Sequence, residues 1–197
     1  MTATSAHRRR IARAVRRRGL WRLVPASAAL IGAGMQPAAA DAMQHAAFMA
    51  KYRCPVVAVL TEIHLRGPVG RSWNRFLSLS LRGVAQSYVQ CMFIERDTAM
   101  YCEASSGAYG PATDQPFHLV PPEEARAALH RLGYRQNDPS RNYERILPLG
   151  TPPNVGLAAD LMLAALFHAY GARDWSTLEV EAPRGGDAAL SCGAPVS

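Results

Sequence analysis

Residues 75–104 constrain this chain more than any other stretch. From 75 to 82 the residues alternate, with Leu77, Leu79 and Leu81 on one face and Phe76, Ser78 and Ser80 on the other. This period of two marks a strand that lays one face on a core. Residues 88–95 and 98–104 read as a second and a third strand. A two-residue turn at Arg96-Asp97 joins them, setting Glu95 opposite Thr98, Phe93 opposite Met100 and Cys91 opposite Cys102. Val89, Cys91, Phe93, Met100 and Cys102 then line one apolar face. The turn lacks the Asn-Gly signature of the tightest hairpins. Consecutive strands on such short links predict an antiparallel sheet.

Helical periodicity surrounds this sheet. Pro55 fits a first helical position, and Val56, Val59, Leu60 and Ile63 then repeat at i, i+3, i+4 and i+7. Gly67-Pro68 stops that helix, with Thr61, Glu62 and His64 off its stripe. Pro121-Pro122-Glu123-Glu124 opens a second helix, its acids at the positive end of the dipole. Ala125, Leu129 and Leu132 form its buried stripe, and Gly133 fits the C′ position. Residues 142–149 read as a fourth strand. Asn154 caps a helix over 155–170, apolar on most sides, that ends at Gly171. Leu178, Val180 and Ala182 alternate with Thr177, Glu179 and Glu181 as a final strand. The expected order is α-β-β-β-α-β-α-β, an α+β domain of two layers with helices packed on an antiparallel sheet. Its expected bounds are 51–182, between an N-terminal extension over 1–50 and a loose tail over 183–197.

The charge divides along the same lines. The 197 residues carry a formal net charge of +7. Residues 1–50 hold eight arginines and one acid, Asp41, whereas 51–197 hold 14 basic and 14 acidic residues. The basic character belongs to the extension, so no nucleic-acid partner is expected for the domain. Within the extension come a block of arginines over 8–22, a mildly apolar stretch over 23–35, and Ala38-Ala39-Ala40. That order is the order of a secretory signal. An upstream mis-assigned start, with Met43 or Met49 as the true one, is the competing reading. No run approaches the roughly 20 apolar residues of a membrane span.

No residue set announces a reaction. The histidines show neither H-E-x-x-H spacing nor a C-x-x-C companion, so no metal is expected. His64 and His130 are expected on solvent-facing sides of helices. Gly67-Pro68-Val69-Gly70-Arg71-Ser72 lacks the lysine and spacing of a phosphate loop. Ser105-Ser106-Gly107 is not a nucleophile elbow. Lys51 is the only lysine, which leaves little room for Schiff-base chemistry. Glu103, mid-strand among apolar residues, is expected to face outward or to accept backbone hydrogen bonds. The four cysteines are Cys54, Cys91, Cys102 and Cys192. Cys91 and Cys102, if opposed as above, lie within disulfide reach; two free core thiols are the alternative.

Several segments together are similar to a known group. They are Tyr88-Val89-Gln90-Cys91, then Cys102-Glu103-Ala104-Ser105-Ser106-Gly107, then Leu132-Gly133-Tyr134, and a late helix over 158–166 closing at Tyr170-Gly171. From Tyr52 to Val180 the chain resembles the TY-Chap group, bacterial domains similar to type III secretion chaperones and to YbjN-like proteins. The resemblance implies a non-enzymatic, cofactor-free domain that dimerises and holds a protein client or effector. Exposed apolar strands or grooves suit such work. The residues expected to meet the partner are Tyr88, Gln90, Met92, Tyr101 and Glu103, whose alternative is burial beneath a helix. A cytoplasmic location goes with this reading. The alternative is an exported α+β protein of unknown activity with a Cys91–Cys102 disulfide.

Overall fold

The computed structural model describes residues 37–67, 75–109 and 122–182. The arginine block, the stretch 23–35, the loop through Gly70 and Trp73, Pro121, Cys192 and the tail over 183–197 lie outside the described residues. The elements are α1 (Pro37–Arg66), β1 (Phe76–Leu81), β2 (Tyr88–Ile94), β3 (Ala99–Ala104), α2 (Pro122–Arg131), β4 (Tyr143–Pro148), α3 (Gly156–Tyr170) and β5 (Leu178–Glu181). Their order is the one that periodicity predicts. All neighbours in the five-stranded sheet are antiparallel, in the order β4-β3-β2-β1-β5.

The alternation of leucine in β1 becomes an alternation of burial. Leu77, Leu79 and Leu81 are buried and join a core with Val89, Cys91 and Phe93 of β2 and Met100, Cys102 and Ala104 of β3. The helices complete this core from one side. α3 is its centre, with Leu161, Leu163, Leu166 and Phe167 all buried. Each such side chain contributes about 1.5–3 kcal/mol through lost water contact. The helix ends where Gly171 turns left-handed (φ 76°) and its N–H reaches the Leu166 carbonyl. Asn154 accepts a hydrogen bond from the Gly156 N–H at 3.1 Å, at the start of α3.

α1 corrects two expectations. It begins at Pro37, so residues 37–50 belong to the first helix and not to an extension. Pro55 lies inside it and does not open it. The stripe explains both. Phe48 and Tyr52 carry the spacing of Val56, Val59 and Leu60 upstream, and all five are buried. Phe48 packs on Tyr52 and on Phe167 of α3, with ring centroids 5.1 and 5.9 Å away. This burial outweighs the roughly 3 kcal/mol that a proline costs inside a helix. A smaller correction concerns α2: Ala128 is buried with Ala125 and Leu129, while Leu132 lies just past the helix and packs partly buried against the core.

The β2–β3 hairpin has the expected register, Phe93 opposite Met100 and Cys91 opposite Cys102. Its turn is left-handed throughout: Glu95, Arg96 and Asp97 have φ of 52°, 54° and 72°. That hand matches the twist of the strands, at a cost for residues with a Cβ. Two contacts hold it. Thr98 donates its N–H and its hydroxyl to the Glu95 carbonyl at 3.2 and 2.9 Å, and the Asp97 carboxylate is clamped from outside the hairpin.

Candidate functional site: the outer face of the sheet

Because the helices take one face of the strands, alternate residues are left on the other. Tyr88, Gln90 and Met92 of β2 and Tyr101 and Glu103 of β3 all lie on this outer face, each partly exposed. The burial alternative for these five residues is not what the strands adopt. Register places Gln90 opposite Glu103 and Met92 opposite Tyr101. Flanking strands widen the surface beyond those five. β1 adds Phe76, Ser78 and Ser80, opposite Met92, Gln90 and Tyr88. β4 adds Glu144 and Ile146, opposite Glu103 and Tyr101. β5 adds Glu179 and Glu181, opposite Ser80 and Ser78.

The surface has two halves. One carries Phe76, Met92, Tyr101 and Ile146, the last 52% exposed. The other carries the serines, Gln90 and the glutamates, and holds a shallow groove of about 510 Å³. The Tyr101 hydroxyl donates to Glu103 Oε1 at 3.2 Å. Burial, then the negative charge of Glu103 and Glu144, hold the Tyr101 phenol well above its ordinary range, so it stays a neutral donor. Tyr88 is also raised, chiefly by burial, although Asn142 opposes the shift by donating to its oxygen at 2.6 Å. Aromatic rings and methionine beside hydrogen-bonding groups are the composition of protein contact surfaces.

Cys91 and Cys102 point the other way, into the core. They are joined by a disulfide, with Cα atoms 4.1 Å apart and both side chains fully buried. Cys54 is also disulfide-bonded.

A second constellation was missed in sequence. His64 is only partly exposed: its ring stacks on Phe93 at 5.8 Å, and Nδ1 lies 2.9 Å from Asp97 Oδ2. Arg75, only 6% exposed, donates to both oxygens of Asp97, one bond being 2.6 Å, and lies over the Phe93 ring. Burial raises the Asp97 carboxyl, but the hydrogen bonds and charges of Arg75 and His64 outweigh it and hold the group below its ordinary range. With both oxygens taken, Asp97 serves as an anchor: it ties α1 and the start of β1 to the left-handed turn. His130 does face solvent.

Toward the other end of α1, the His45 and His168 rings lie 4.9 Å apart, tilted by 48°. Burial first, then the neighbouring His45, lowers the affinity of His168 for a proton. Among the described residues no group of three or more His, Cys, Asp or Glu is placed to hold a metal ion. Among the same residues no helix is long and apolar enough to cross a membrane. No family model, no curated protein and no solved structure matches this chain.

Proposed function

We propose that this chain is a non-enzymatic, chaperone-like or adaptor domain that holds a partner polypeptide on the outer face of its sheet. The carrying observation is that Tyr88, Gln90, Met92, Tyr101 and Glu103 share one partly exposed face, on the side opposite the helical core. The order from α1 to α3 is the one that the resemblance to the TY-Chap-like chaperones leads one to expect, and it is in keeping with this reading. An extended segment laid across this face gains apolar contact from Phe76, Met92 and Tyr101, and hydrogen bonds from the phenols and Gln90. Self-association as a dimer belongs to the same reading.

The test compares the wild-type chain with a Met92→Asp, Tyr101→Ala variant in its native host. Both are captured under native conditions, and the variant is first shown to unfold at the same denaturant concentration. A polypeptide held by the wild type and lost by the variant supports the proposal. Equal retention, or none in either case together with an inert monomer by light scattering, overturns it.

A second reading concerns location. The Cys91–Cys102 disulfide favours an exported protein over a cytoplasmic one, since disulfides persist in oxidising compartments. The mature N-terminus and free-thiol count of native protein test it. A start near Asp41 with Cys91 and Cys102 unreactive to thiol reagents supports export; the two thiols reactive after unfolding sink it.

A further inference from the structure

Resting on the partner-binding reading, we infer that the segment held on the outer face is cationic, an extended stretch in which basic side chains alternate with apolar ones. The inference comes from charge that the protein's own cations answer only in part. One row across the sheet runs Glu181, Ser78, Gln90, Glu103, Glu144. It spans four strand spacings, about 19 Å. Glu103 and Glu144 are direct cross-strand partners, and like charges so placed destabilise a sheet. A choice that works against the fold at a partly exposed position points to an outside requirement.

The protein's own cations answer only part of this charge. Arg82 pairs with Glu179 at 3.2 Å, and Arg141 with Glu144 at 3.4 Å. Among the described residues Glu103 and Glu181 have no cationic partner, and both line the groove. Beside them the apolar half offers Phe76, Met92 and Tyr101. Carboxylates in one half and apolar surface in the other match a strand whose basic and apolar side chains alternate. A second copy of this face is a poor occupant, because apposing two such surfaces sets carboxylate against carboxylate.

The probe is a short synthetic peptide alternating leucine and arginine, with counterparts carrying glutamine or glutamate in place of arginine. Binding to the full chain is followed by fluorescence anisotropy at low and high salt, and located by amide chemical shifts. The arginine peptide is expected to bind most tightly, to shift Gln90, Met92, Tyr101 and Glu103, and to weaken as salt rises. A Glu103→Gln, Glu181→Gln variant should lose about tenfold of that affinity, and the glutamine peptide, which brings no charge to the face, should lose far less. Glu181→Gln alone, at an exposed edge position, should show part of the loss. Equal binding of the arginine and glutamine peptides on these residues, or no loss in the variants, overturns the cationic occupant and leaves the face reading standing. Peptides that shift none of these residues overturn both.

Discussion

The two faces of the sheet are built from alternate residues of the same strands, yet they answer to different demands. On β2 the inward residues Val89, Cys91 and Phe93 are buried, while Tyr88, Gln90, Met92 and Ile94 between them remain partly exposed. The inner residues have volumes that fill the space under α3. The outer residues include opposed carboxylates that folding alone would avoid. A residue's worth to the fold is therefore set by its parity along the strand, and what the outer set is for has to be sought outside the fold. That contrast can be broken by mutation.

The largest difference is expected between Phe93→Ala and Met92→Ala, neighbours on one strand. Phe93 is 2% exposed and sits under both the His64 ring and the Arg75 guanidinium. Its loss should cost about 3–5 kcal/mol through lost burial and the cavity left behind. Met92→Ala should cost less than about 1 kcal/mol. Phe48→Ala belongs with Phe93, and so does a chain begun at Met49, because either removes a fully buried ring from α1. Urea unfolding checks all of these. Equal costs at 92 and 93 would mean that the outer face is covered as well.

The hairpin turn is where the two faces meet, and there the clamp should show its value. Asp97→Ala leaves Arg75 buried and unpaired, a loss of about 3–5 kcal/mol for a broken buried pair. The pH dependence has a definite sign. A carboxyl held below its ordinary value binds fewer protons in the folded state than in the unfolded. Its contribution is fully present above the unfolded value of about 4 and is lost as pH falls through the folded one. The wild type should therefore lose stability on acidification, from about pH 5 downward, more steeply than an Asp97→Asn variant. Parallel profiles would show that Asp97 is not held as described.

The inner disulfide is the next effect in size. It closes a loop with a sequence separation of 11 between Cys91 and Cys102, which by chain entropy stabilises by about 3 kcal/mol. Replacing both cysteines by alanine should lower the urea midpoint accordingly and leave the hairpin register intact in amide spectra. An unchanged midpoint would make the bridge irrelevant to folding.

Much of this division was legible in sequence, and the remainder has physical reasons. The element order follows from periodicities of two and of three to four. The hairpin register follows from a link too short to slip. The start of α1 was hidden because the run from Ala38 to Ala47 has six alanines and little amphipathic signal, so only Phe48 and Tyr52 carry the stripe upstream. Pro55 reads locally as a helix start, and tertiary burial overrides it. Parity placed Tyr88, Gln90 and Met92 together, but only the sheet order brings Glu144 and Glu181 to the two ends of one row. The clamp joins residues 33 apart through a turn aspartate, and no local pattern announces such a pair.

The smallest expected effect lies on the buried side and has the opposite sign from the rest. Tyr134 is fully buried, and among the described residues its hydroxyl has no hydrogen-bond partner. Burial pushes its phenol well above the ordinary value. By contrast, the equally buried Tyr170 donates to the Ser105 carbonyl at 2.6 Å. An unsatisfied buried hydroxyl costs about 1–3 kcal/mol of desolvation, and removing the atom removes that cost while keeping the ring. Tyr134→Phe should therefore leave stability unchanged or raise it by about 1 kcal/mol. Tyr170→Phe should lower it by a similar amount, since the Ser105 carbonyl then loses its donor. Paired urea titrations decide the matter. A loss at 134 as large as at 170 would mean that the Tyr134 hydroxyl is satisfied in solution, and that the buried face uses one more polar contact than its geometry displays.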